Sequence, residues 1–226
     1  FGINEWWPRL VAPLFGLACL FLSSITCKRL APKSEAYLIV PVILIGTIYW
    51  GIFTTLTMFD LIITFWTLIG VNGLIDIVKE RKFRGWILYT IAISLGTLTK
   101  GPVILIYLLP IALFGPYWAS DQIELDWRAW YLKILTSFFT AIAIALTWAI
   151  PAGIAGGEIY QNAIFWGQSA GRVVESFAHR EPFWWYLAIT PILLMPWLLW
   201  PSLLRKLWNK INNRKKIKKR EPGLRI

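Results

Sequence analysis

A chain of 226 residues that is 57% hydrophobic and 15% charged, with a mean hydropathy of +0.58, carries too few charges to cover a soluble domain. Its 15 Trp point to a membrane, where Trp concentrates at the interfaces. The net charge of +11 does not argue for nucleic acid, because ten of the 23 Lys and Arg fall in the last 22 residues, directly after an apolar run. There they read as a cytoplasmic topology signal and a partner for anionic lipid.

Apolar runs between charged breaks predict seven spans: Leu10–Cys27, Ala36–Phe53, Leu61–Val78, Trp86–Thr99, Val103–Trp118, Ile134–Gly156 and Trp184–Leu204. Most have the roughly 17–25 residues that a helix needs to cross about 30 Å of hydrocarbon. Trp86–Thr99 and Val103–Trp118 are short and read equally as a re-entrant pair meeting at Lys100-Gly101-Pro102, which leaves the downstream topology unchanged. The fold class expected is an all-α polytopic transmembrane bundle over residues 1–204, followed by a basic tail over 205–226. Cys19 and Cys27, in or beside one apolar run, read as small apolar core residues. The start at Phe1, without Met or a signal-peptide pattern, reads as part of a longer protein.

Charge bias sets the expected orientation. The segments Lys28–Glu35, Lys79–Gly85, Ala119–Lys133 and the tail together hold 19 of the 23 Lys and Arg, which makes that side cytoplasmic. Arg9, Asp60, Lys100, Glu158, Arg172, His179 and Arg180 then face the other way. The outer loop Gly157–Phe183, which includes Tyr160, is apolar enough to form an interfacial helix.

Each outer residue has two readings. Asp60 opens a span, either as a helix N-cap or as a carboxylate that orients a polar substrate or cation at a membrane-facing cleft. Lys100 stands at a Gly-Pro helix break, either snorkelling to the interface or neutralising a phosphate. Arg172 and Arg180 are candidates for bidentate phosphate contact, against solvated loop charge. His179, the single His, reads as interfacial or as one contributor to a metal site together with carboxylates such as Asp60 or Glu158. No P-loop, HExxH or CxxC occurs.

Several of these features, in this order, resemble the polytopic membrane glycosyltransferases that use polyprenyl- or dolichyl-phosphate sugars. These are the GT-C type enzymes related to protein O-mannosyltransferases and bacterial aminoarabinose lipid A transferases. The matching elements are Phe1-Gly2 with Trp6, Trp7 and Arg9-Leu10, then Met58-Phe59-Asp60-Leu61 with Thr64 and Trp66. Gly96-Thr97-Leu98-Thr99-Lys100-Gly101-Pro102 follows, and then His179-Arg180-Glu181-Pro182-Phe183-Trp184-Trp185-Tyr186 with Leu194-Met195-Pro196-Trp197. The resemblance implies sugar transfer from a lipid phosphate to a lipid, glycan or protein acceptor on the extracytoplasmic face of a bacterial inner membrane. It places Lys100 at the phosphate, Asp60 at the second-span acidic position and His179 at the outer-loop His, where a divalent metal is an open expectation. Arg9, Glu158, Tyr160, Arg172 and Arg180 are the expected substrate-binding residues. The family's acidic acceptor loop would precede Phe1.

Two rival classes stand beside this one. A transporter or flippase would carry ionisable groups at broken helices near the bilayer midplane. Asp76, near the cytoplasmic end of its span, is no such group. The other rival is a non-catalytic scaffold subunit.

Overall fold

The computed structural model describes residues 6–56, 58–79, 81–119, 126–170 and 182–202, together with Arg205 and Asn209. Among them there is no strand. The helices are α1 (Trp6–Leu30), α2 (Ala36–Ile45), α3 (Ile48–Thr55), α4 (Asp60–Val78), α5 (Lys82–Lys100), α6 (Val103–Leu113), α7 (Gly115–Ala119) and α8 (Trp127–Asn162). A π-helix over Ala163–Ala170, α9 (Phe183–Leu193) and a single 3-10 turn at Trp197–Leu199 complete the order.

The chain divides into two compact units. The larger holds Phe1–Pro41 and Phe53–Arg180. Its core is a cluster that includes Leu74, Tyr89, Ile104, Leu108, Trp130 and Ile134, all buried. Helix α8 shows why it joins this core: Trp130, Ile134, Ser137, Ala141, Ala145, Ala149 and Gly153 recur every three or four residues and are its buried positions. Small side chains along that stripe let backbones approach closely, which is the main way helices gain contact in lipid. Helices α4 and α5 pack closest at Gly73 and Gly85, where a Cβ on Gly73 would lie 2.7 Å from the Gly85 carbonyl oxygen. The opposite faces carry exposed Leu17, Phe21, Phe139 and Ile154, as lipid-facing surfaces do.

Side-chain pairs fix the directions of α1, α4, α5, α6 and α8 in this unit. Cys19 lies against Leu61 and Arg29 against Asp76, so α1 runs parallel to α4. Lys100 meets Asp60, so the end of α5 returns to the start of α4. The Trp86 and Trp130 rings pack edge to face at 5.3 Å, which sets the starts of α5 and α8 side by side. Trp130 Nε1 also donates to the Ala112 carbonyl at 2.9 Å, bringing the end of α6 back to that level. One end of the bundle therefore gathers Arg29, Lys79, Lys82, Arg84 and Lys133, while Asp60 and Lys100 lie at the other. The expected return of the chain to one side after the Gly-Pro break agrees with this arrangement.

The smaller unit holds Val42–Ile52 and Glu181–Ile226. In it Trp197 Nε1 donates to the Ile43 carbonyl at 2.7 Å, and the Trp197 ring leaves no room for a Cβ on Gly46. The Met195 carbonyl accepts from Ile48 N at 3.1 Å. Helices α2 and α3 meet at a 64° bend beside this contact.

The all-α membrane bundle is as expected, but the seven spans are not reached among the described residues. Three helices are long and apolar enough to cross a membrane, or four if the bent α2–α3 pair counts as one. Helix α5 absorbs Lys82, Arg84 and Lys100 into its 19 residues, and α6 and α9 have only 11 each. The Ala36–Phe53 span is broken at the bend, and Val103–Trp118 is split at Phe114 ahead of Gly115-Pro116. The first part of the outer loop is helical, as expected, and residues 171–181 lie outside the described set.

Candidate lipid-phosphate site

Helix α5 stops at Lys100 because Gly101 takes φ 67° and ψ −153°, a backbone region open essentially to Gly alone. Pro102 follows, and α6 starts at once. The Gly101 amide still closes onto the Thr97 carbonyl at 2.8 Å, so the last turn of α5 is intact up to Lys100. Across from it, α4 begins at Asp60. Phe59 occupies the N-cap position and makes no side-chain cap bond, so Asp60 does not serve as the N-cap. Its carboxylate has another partner: Lys100 Nζ donates to Asp60 Oδ1 at 2.7 Å. The two side chains are 28% and 30% exposed, neither buried nor fully solvated. The Asp60 backbone carbonyl accepts from Thr64 Oγ1 at 2.7 Å.

Lys100 lines a cavity of about 620 Å³. Phe59 and Ile62 of the α4 start form one wall and Thr97–Gly101 another. Ala145, Ala149 and Trp148 of α8 form the third, where the two alanines make the room. The fourth wall is Tyr160, Ile164 and Phe165. That wall exists because Gly157, at φ 77° and ψ 177°, turns the chain out of α8. The segment then folds back until a Cβ on Gly153 would lie 3.3 Å from the Phe165 ring. A cavity of this size, mostly apolar with one ammonium at its edge, has the dimensions and lining of a small-molecule site.

The structure thus brings together Asp60, Lys100 and Tyr160. Glu158 is exposed just past the turn and Arg9 is exposed in the first turn of α1, and neither is among the described lining residues. With Cys19 level with Leu61, Arg9 sits ten residues further out along α1, roughly 15 Å beyond the start of α4. Arg172, His179 and Arg180 lie outside the described residues. Among the described residues no group of three His, Cys, Asp or Glu could hold a metal ion.

Sequence reasoning missed two things. The aromatic lining from Phe59, Trp148 and Phe165 has no local signature, because it depends on the packing of α4 and α8 and, for Phe165, on the reversal at Gly157. It also missed a polar cluster at the far end of the bundle. There Arg29 Nη2 donates to Asp76 Oδ1, and Arg29 Nη1 donates to Asn72 Oδ1 at 2.9 Å. Asn72 Nδ2 donates to Thr26 Oγ1 at 2.6 Å, and Arg84 Nε stands 3.5 Å from Asp76 Oδ2.

The chain is similar to a set of bacterial proteins, each an undecaprenyl phosphate-alpha-4-amino-4-deoxy-L-arabinose arabinosyl transferase. The protein of Pseudomonas aeruginosa strain UCBPP-PA14 is 30% identical over 153 residues, covering 65% of this chain and 27% of that protein. That of Aeromonas hydrophila is 28% identical over 202 residues, 86% of this chain and 36% of its own. That of Edwardsiella ictaluri is 34% identical over 130 residues, 56% of this chain and 22% of its own. The chain spans about a quarter to a third of the length of these relatives. No protein-family model and no solved structure matches it. The type of relative agrees with the resemblance read from the sequence.

Proposed function

We propose that this chain, a relative of arabinosyl transferases with undecaprenyl phosphate-linked sugars in their names, is the lipid-phosphate-binding part of a membrane glycosyltransferase. The observation that carries the reading is the Asp60–Lys100 pair at the edge of the apolar cavity. A polyprenyl-phosphate sugar needs apolar walls for its first isoprene units and a cation for its phosphate. An ammonium has three donors, so Lys100 keeps its bond to Asp60 and still offers N–H to a phosphate oxygen. Asp60 then acts as a positioning residue that aims the ammonium.

In the transfer, the bond from the sugar's anomeric carbon to the phosphate oxygen breaks as the acceptor oxygen bonds to that carbon. The phosphate leaves with the electron pair, and the acceptor's proton passes to a base. Charge builds on the departing phosphate, so Lys100 favours the transition state over the bound ester. The described ion pairs stand at helix ends, with none at mid-span, which supports transfer over transport. The sugar is of the pentose class named for the relatives, and the acceptor a lipid, glycan or protein on the extracytoplasmic face. The test is transfer of a labelled pentose from its polyprenyl phosphate by membranes containing the full-length protein. Absence of product from correctly inserted protein, against a lipid, a glycan and a protein acceptor pool, would sink the assignment.

A further inference from the structure

A second groove, of about 830 Å³, lies between the first turns of α5 and the first half of α8. Lys82 and Lys133 line it, and Phe83, Trp86, Ile91 and Ile144 supply much of its apolar surface. It shares no lining residue with the cavity at Lys100, and its Lys82 end lies about 27 Å from Lys100 along α5.

Three observations restrict what fits there. Both lysines are exposed, and among the described residues neither forms a salt bridge. The carboxylate that also lines the groove, Asp126, serves as the N-cap of α8, accepting from Arg128 N at 3.0 Å and Ala129 N at 3.4 Å. Two ammonium groups against one carboxylate, itself held by the helix start, leave the mouth with a net positive charge. Because Trp86 packs beside Trp130, the lining starts at the level of Lys82 and Asp126, passes Lys133 about 10 Å further in, and ends at Ile144, about 27 Å along α8. The stretch beyond Lys133, eleven residues or about 16 Å to Ile144, is close to half of a hydrocarbon core of about 30 Å.

We propose that this groove binds one anionic glycerophospholipid, with the phosphate between Lys82 and Lys133 and an acyl chain along Trp86, Ile91 and Ile144. A zwitterionic lipid brings its own cation to a mouth that already holds two, so the groove selects against it. A packed protein helix would cover the apolar walls and leave both ammonium groups without a counter-charge.

The test is native mass spectrometry of the full-length protein, titrated in detergent with phosphatidylglycerol or phosphatidylcholine of matched chains. The expected result is one tight phosphatidylglycerol adduct, weakened about tenfold or more in Lys82→Ala/Lys133→Ala and kept in Lys82→Arg/Lys133→Arg. Thr140→Trp, a larger side chain on the lining, should also remove the adduct while both charges remain. Neutralising Lys215, Lys216, Lys218 and Lys219 to Ala should leave it in place. Equal binding of phosphatidylcholine, an adduct unchanged in the double Ala variant, loss with the tail variant alone, or no adduct at all would each overturn the proposal.

Discussion

Asp60 and Lys100, forty positions apart, join the first residue of α4 to the last residue of α5 through a 2.7 Å hydrogen bond. Each end would otherwise present an unpaired, largely desolvated charge, which is costly. The pair thus satisfies both termini and leaves the ammonium beside the cavity.

In the full-length protein, Lys100→Ala should lower transfer at least about tenfold, the equivalent of one lost charge-assisted phosphate contact. Asp60→Asn should have a smaller effect and raise KM for the donor more than it lowers kcat, because it loosens the ammonium without removing it. Steady-state transfer kinetics check both. Wild-type rates from folded Lys100→Ala would remove the phosphate role.

Gly101→Ala tests whether the break in the helix, and not only the charge, makes the site. A Cβ at φ 67° and ψ −153° is strained by about 1–3 kcal/mol. The last turn of α5 should shift, and transfer should fall although Lys100 and Asp60 are both present. Gly157→Ala is a cleaner probe of the far wall, since no atom lies within 4 Å of the new Cβ and only backbone strain acts. It should loosen the Tyr160–Phe165 wall and weaken donor binding, read by titration with a short-chain polyprenyl phosphate.

The orientation is checked by cysteine labelling. In a Cys19→Ala, Cys27→Ser background, Lys100→Cys and His179→Cys should react with a membrane-impermeant thiol reagent added from the extracytoplasmic side. Arg84→Cys should react only when the cytoplasmic side is opened. The reverse pattern would invert the topology and with it the proposed face of transfer.

What could be read from the sequence was whatever local pattern decides. Apolar runs gave the helices, and Lys100-Gly101-Pro102 gave a break, because Gly and Pro act on their own backbone. Charge counts alone distinguish the two ends of the bundle. The N-cap reading of Asp60 competed with a partner forty residues away, and only packing of α4 on α5 at Gly73 and Gly85 decides that competition. Hydropathy alone does not set the helix ends among the described residues, so the seven-span count is not reached there. Lys82 and Arg84 belong to α5 although the apolar run starts only at Trp86. The cavity was invisible for the same reason as its aromatic wall: Tyr160 to Phe165 reaches Lys100 through the turn at Gly157, and turn geometry of that kind does not appear as periodicity.

The cluster around Asp76 gives the last prediction, on stability. The Asp76 side chain is fully buried and takes a hydrogen bond from Arg29, which is itself 22% exposed and also holds Asn72. Arg84, 64% exposed, adds a looser contact at 3.5 Å. Lys79 Nζ closes the group by donating to the Arg29 carbonyl at 2.7 Å. These bonds tie the ends of α1 and α4 to the start of α5, far from the cavity. Removing one partner of a buried pair strands the other, typically by about 3–5 kcal/mol. Asp76→Ala should therefore lower the thermal unfolding midpoint and folded yield in detergent. Arg29→Ala should do nearly the same, because it leaves the carboxylate buried with only Arg84. The double variant Asp76→Ala/Arg29→Ala should be less destabilised than the sum of the two, since no charge is then stranded. Additive losses in that cycle would show that the two residues act independently. Donor binding by whatever fraction folds should stay near wild type, which separates this scaffold from the site at Lys100.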